Sequence, residues 1–117
     1  MKQPQLFNNF IFVFGANEGG KHSLGAALTA REKFGAVYGQ GNGLQGTSYG
    51  IPTKNTYIQT LPLGKIKPYV DEFINFAQNN TQLNFFVTAI GTGLAGLKHS
   101  SIAPLFKTAP KNCTFDL

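Results

Sequence analysis

The chain has 117 residues, 10 basic and 5 acidic, for a formal net charge of +5, with 42% hydrophobic residues and one cysteine. That length fits one domain, residues 1–117, and the composition argues against disorder. A lone cysteine excludes a disulfide framework and a cysteine-rich zinc site, and no apolar run approaches the ~18 residues of a membrane span.

The segment Met1 to Gly15 lacks a small-residue cleavage signal, so the expected compartment is the cytosol. Phe10 to Phe14 is a continuous apolar run ending at Gly15, which reads as a strand buried on both faces of a parallel sheet. A loop from Gly15 to His22 follows. Ser23 is a candidate N-cap for a helix over Leu24–Phe34, with Ala27, Leu28, Arg31 and Phe34 on one face and Gly35 ending it. Gly39 to Gly46 has no periodicity and reads as a loop. Ser48 to Pro52 predicts a second strand, and Tyr57 to Leu61 a short extended piece.

Pro62 opens a helical stretch reaching about Asn79, where Ile66, Val70, Phe73 and Ala77 share a face. Pro68 suggests that the regular helix begins near it. Phe85 to Ile90 predicts a third buried strand. Ser100 is a candidate cap for a short helix over Ser101–Lys107, and Asn112 to Phe115 an edge strand. The alternation of strands and helices implies an α/β fold with a mostly parallel sheet.

Of the 14 glycines, ten lie between Gly15 and Gly50 and three are Gly91, Gly93 and Gly96. Both windows begin at predicted strand ends and lead into helix starts. Ligands of α/β sheets bind outside the carboxyl ends of strands, and helix N-termini favour anions. Two such loops could embrace a diphosphate. The first loop is neither a Walker A motif nor a dinucleotide fingerprint; Gly91-x-Gly93-x-x-Gly96 matches GxGxxG literally but lacks the acidic residue about 20 positions on.

Lys21, His22, Lys54 and His99 fall in or beside these loops, and Glu18 is the only carboxylate in either window. Glu18 could be a base or a ribose contact, and the histidines phosphate contacts or acid/base groups. Asp71 and Glu72 read as helix-dipole partners, and Cys113 as a buried structural thiol. One of Tyr38, Tyr49 and Tyr57 could stack on a base. No His/Asp/Glu/Cys spacing implies a metal, and no cofactor is implied. No two of the ten basic residues are adjacent, and no RNP-type motif is present, which argues against nucleic acid as the partner.

Val13-Phe14-Gly15-Ala16-Asn17, the stretch Gly19 to Leu28 and the run Ala89 to Gly96 together resemble the macro domain family, which binds ADP-ribose. Ile51-Pro52-Thr53-Lys54 followed by a helix is similar to the branch containing the terminal ADP-ribose glycohydrolases. The resemblance covers roughly Phe10 to Phe106. It implies a small three-layer macro-like domain with a mostly parallel mixed sheet.

It further implies that Asn17 bonds the distal ribose, that Gly19, Gly20 and Gly25 shape one wall, and that Gly91, Thr92, Gly93, Leu94, Ala95 and Gly96 cradle the diphosphate. Lys54 matches that branch's nucleophile. The branch's second-loop Asp falls on Ala95 or Gly96 here, so binding of ADP-ribose or a related nucleotide diphosphate is favoured over hydrolysis. The family's early acidic residue, which recognises adenine, has no carboxylate counterpart near Asn8 and Asn9.

Overall fold

A computed structural model describes residues 10–91 and 96–116. Its sheet has five strands: β1 (Phe10–Asn17), β2 (Gly43–Gln45), β3 (Ser48–Lys54), β4 (Asn84–Val87) and β5 (Cys113–Phe115), in the order β2-β3-β1-β4-β5. β3, β1, β4 and β5 run parallel, and only β2 is antiparallel. The helices are α1 (Gly25–Lys33), α2 (Leu63–Gln78) and α3 (His99–Ile102), the last continuing into a 3₁₀ turn over Ala103–Phe106.

Side chains of β1 alternate between two cores. Phe12, Phe14 and Ala16 pack with Ala27 and Ala30 of α1, while Ile11 and Val13 join Ile66, Val70, Phe73 and Ala77 of α2. The sheet is therefore covered on both faces, as a parallel sheet requires, and the three-layer α/β expectation holds. Phe73 centres the larger core, with ring contacts to Tyr49 at 5.2 Å and Phe85 at 5.4 Å. Burial pushes the Cys113 thiol up to about 11, consistent with a structural thiol.

Several boundaries differ from expectation. β1 runs three residues past Phe14, because Gly15, Ala16 and Asn17 pair with the end of β3 across a bulge. β3 likewise reaches Lys54 and tolerates Pro52, since β2 pairs only as far as Gly50 and leaves that edge free of a ladder. The Gly39–Gly46 segment contains β2, a three-residue edge strand whose glycine hid it.

β4 stops at Val87 rather than Ile90, and the chain turns away after Thr88 donates to the Val13 carbonyl. α2 begins at Leu63, five residues before Pro68, which sits inside the helix. Neither serine caps: Leu24 and Lys98 occupy the N-cap positions, with no side-chain cap bond. The inward face of α1 centres on Ala27 and Ala30, whereas Arg31 is exposed. Tyr57 to Leu61 is mostly a turn, joined to β3 by an isolated Lys54–Thr60 bridge.

Candidate functional site

The crowded glycines of the first window mostly serve backbone packing. A Cβ on Gly20 would lie 2.3 Å from the Gln40 nitrogen, one on Gly41 2.1 Å from the Asn17 carbonyl, and one on Gly50 2.4 Å from the Gly41 carbonyl. The 39–43 segment thus lies directly on the end of β1 and on the middle of β3 at Gly50. Buried Gln45 ties it down: its Oε1 accepts the Val37 N–H at 2.8 Å and its Nε2 donates to the Gln40 carbonyl at 3.1 Å.

Asn17 organises the turn beyond β1. Its Nδ2 donates to the Lys21 carbonyl at 2.8 Å, and its Oδ1 accepts the Lys21 N–H at 3.0 Å. His22 is fully buried under this turn, edge-on to Phe14, with Nε2 3.1 Å from the Gln40 carbonyl and Nδ1 without a hydrogen-bond partner among the described residues. Burial, followed by the charge of Arg31, lowers its pKa against the opposing effect of the Gln40 carbonyl. Glu18 is exposed and accepts a short hydrogen bond from the Tyr69 hydroxyl on α2.

A cleft of about 290 Å³ opens at the carboxyl ends of β1 and β3, at the small end of the range for ligand pockets. Its lining includes Asn17, Gly25, Thr53, Lys54, Ile58 and Gly91. Lys54 is the only charged side chain among its described lining residues. The first turn of α1 forms one wall, and no side chain of the N-cap residue covers its N–H groups. Such a terminus attracts anions. Gly25 has φ +61, a conformation that favours glycine there.

A second cleft of about 270 Å³ lies at the ends of β4 and β5. It shares Thr88 and Ala89 with the first and adds Ile102, Phe106, Phe115, His99 and Asp116. Four parallel strands therefore end in a row: β3 at Lys54, β1 at Asn17, β4 just before Thr88, and β5 just before Asp116. Neighbouring strands lie about 4.8 Å apart, so the row spans roughly 14 Å.

The structure thus brings Lys54, Asn17, Gly25 and Gly91 together on one cleft. It leaves Glu18, Gly19, Gly20 and His22 off the described cleft lining. Gly96 is exposed, with φ +73 and no described residue within 4 Å of the place a Cβ would take. Thr92, Gly93, Leu94 and Ala95, the heart of the expected diphosphate loop, lie outside the described residues. Tyr49 is core and Tyr38 stands beside His22, whereas Tyr57 is exposed on the turn that carries Ile58. Sequence reasoning missed Asp116 and Ile58. Asp116 follows an edge strand and could have been found from the strand-end rule; Ile58 carries no local signal.

The macrodomain of Mycobacterium tuberculosis DarG matches this structure over 98% of this chain and 93% of its own, with a TM-score of 0.65 and 17% sequence identity. The chain has a macrodomain fold. No protein-family model and no curated sequence matches it, so the likeness is one of architecture. Within that macrodomain fold, both clefts stand at the carboxyl end of the sheet, where open α/β sheets bind ligands. Among the described residues no group of His, Cys, Asp and Glu could hold a metal ion, and no helix is long and apolar enough to cross a membrane.

Proposed function

We infer that this protein binds ADP-ribose or a closely related nucleotide diphosphate along the row of strand ends. The observation that carries the reading is the pair of clefts sharing Thr88 and Ala89, with Lys54 and the first turn of α1 at one end and Asp116 at the other. The terminal ribose lies in the first cleft near Asn17 and Lys54. The diphosphate lies between the two clefts, beside Thr88, Ala89 and Gly91, where glycine admits close backbone approach. The adenosine lies in the second cleft, with Phe106 and Phe115 as its apolar surface. There the Asp116 carboxylate accepts a hydrogen bond from the exocyclic amine, a part for which the amino-terminal residues offer no carboxylate.

Binding is favoured over hydrolysis because neither a carboxylate nor an imidazole is found among the described lining of the first cleft. Lys54 serves as a charge-assisted contact to the ligand. A glycohydrolase of the terminal ADP-ribose type is the second reading, supported by Lys54 on the cleft; it predicts release of labelled ADP-ribose, abolished in Lys54→Ala.

Calorimetric titration with ADP-ribose, AMP and NAD in parallel tests the binding reading. ADP-ribose is expected to bind selectively, with affinity about tenfold or more lower in Lys54→Ala and lost in Gly93→Glu. Absence of binding to all three ligands at millimolar concentration would sink it.

A further inference from the structure

Ile58 has φ +62, the one non-glycine residue with positive φ among the described residues. A β-branched side chain fits that region poorly. The conformation is held by a dense set of local bonds. Asn55 donates its N–H to the Gln59 carbonyl at 2.8 Å and receives the Ile58 N–H on its own carbonyl at 3.1 Å. Its Oδ1 accepts the N–H groups of Tyr57 at 2.8 Å and Gln59 at 3.0 Å, and its Nδ2 donates to Gln59 Oε1 at 3.0 Å. Below the turn, the Lys54–Thr60 bridge and the Leu61 N–H bond to the Thr53 carbonyl close a small clip against β3.

Glycine or asparagine at position 58 would serve this turn without strain. Isoleucine instead sets a rigid apolar side chain on the lining of the first cleft, together with Lys54 and Leu24. Ile58 remains 44% exposed, Leu24 63% and Tyr57 81%. Strained backbone that its surroundings over-determine is found at ligand clamps.

We propose, building on the ADP-ribose reading of the first cleft, that Ile58 is a specificity-determining contact: the clip holds it as a fixed wall against the terminal ribose. It reads the sugar by shape and apolar contact, while Lys54 and the α1 terminus hold polar groups. A ligand that ends at the diphosphate does not reach this wall.

The test compares ADP-ribose with ADP on the full chain, in wild type, Ile58→Gly and Ile58→Asn. Both substitutions accept positive φ, so melting temperature is expected to stay level or rise. The Kd for ADP-ribose is expected to rise about tenfold in both variants, while that for ADP stays unchanged. Equal ADP-ribose affinity in wild type and variants overturns the contact and leaves the ADP-ribose reading standing. Parallel loss of ADP and ADP-ribose overturns it too, because the cleft as a whole has then changed. A large fall in melting temperature contradicts the strain at position 58. Wild-type protein that binds neither ligand refutes the ADP-ribose reading, and the contact with it.

Discussion

Replacing Gly20 with alanine places a methyl group 2.3 Å from both the Gln40 nitrogen and the Gly39 carbonyl carbon, on a backbone with φ +70. The left-handed conformation alone costs an alanine roughly 1–2 kcal/mol. The contacts are backbone atoms, so no side chain can swing aside. Relief requires moving the 39–41 segment, which strains the Gly39 N–H bond to the Gly20 carbonyl at 2.9 Å and the His22 bond to the Gln40 carbonyl at 3.1 Å. Each hydrogen bond contributes about 1 kcal/mol net, giving a total loss of roughly 3–4 kcal/mol. Gly96 supplies the control, because it has φ +73 and, among the described residues, nothing within 4 Å of the place a methyl group would take. Its alanine variant bears only the conformational cost of roughly 1–2 kcal/mol. Urea unfolding monitored by circular dichroism separates the two. With a slope of about 1–3 kcal/mol per molar urea, the Gly20→Ala midpoint should fall about 1 M below that of Gly96→Ala. Coincident midpoints would show that the 39–41 segment yields freely, and the close-packing account of the first glycine window would fail.

Two further outcomes follow from the titrating groups. His22 is held neutral, and a second proton would put an N–H at Nδ1 with no acceptor among the described residues. Its folded pKa lies below the ordinary 6.5, so its contribution is complete above that pH and is lost as pH falls below it. The melting temperature of wild type should therefore drop more steeply from pH 7 to pH 5 than that of His22→Phe; parallel curves refute the assignment. The Tyr69 phenol is pushed up to about 12, first by its hydrogen bond to Glu18, then by burial and by the charges of Glu18 and Glu72. In Glu18→Gln, ultraviolet titration should show one tyrosine ionising at lower pH, and an unchanged titration would mean that the Tyr69–Glu18 bond is absent in solution.

The two buried strands at Phe10–Phe14 and Phe85–Val87 were legible because continuous aromatic and β-branched runs have few other uses in a chain this short. The face of α2 was legible from the spacing of Ile66, Val70, Phe73 and Ala77. Boundaries were less so. Gly15, Ala16 and Asn17 carry turn-like local preferences, yet β3 supplies a ladder for them, and pairing with a distant strand overrides local propensity. The expected site was legible in part: Asn17, Gly25, Lys54 and Gly91 do meet on one cleft, but Glu18 and His22, equally close in sequence, do not. A turn of a few residues sends one side chain to α2, another beneath the loop and a third along the cleft, and residue type does not encode which.

The sequence by itself determined the layered α/β architecture, because hydrophobic periodicity is a local property that survives without knowledge of partners. It also located the glycines. Only the tertiary structure decided what they do. Gly20, Gly41 and Gly50 are required because backbone crosses backbone within a few ångströms, and for Gly20 and Gly41 the contact joins segments distant in the chain. The same holds for the ends of the candidate site: Lys54 and Asp116 are 62 positions apart, and they join one row because β3, β1, β4 and β5 run parallel and side by side.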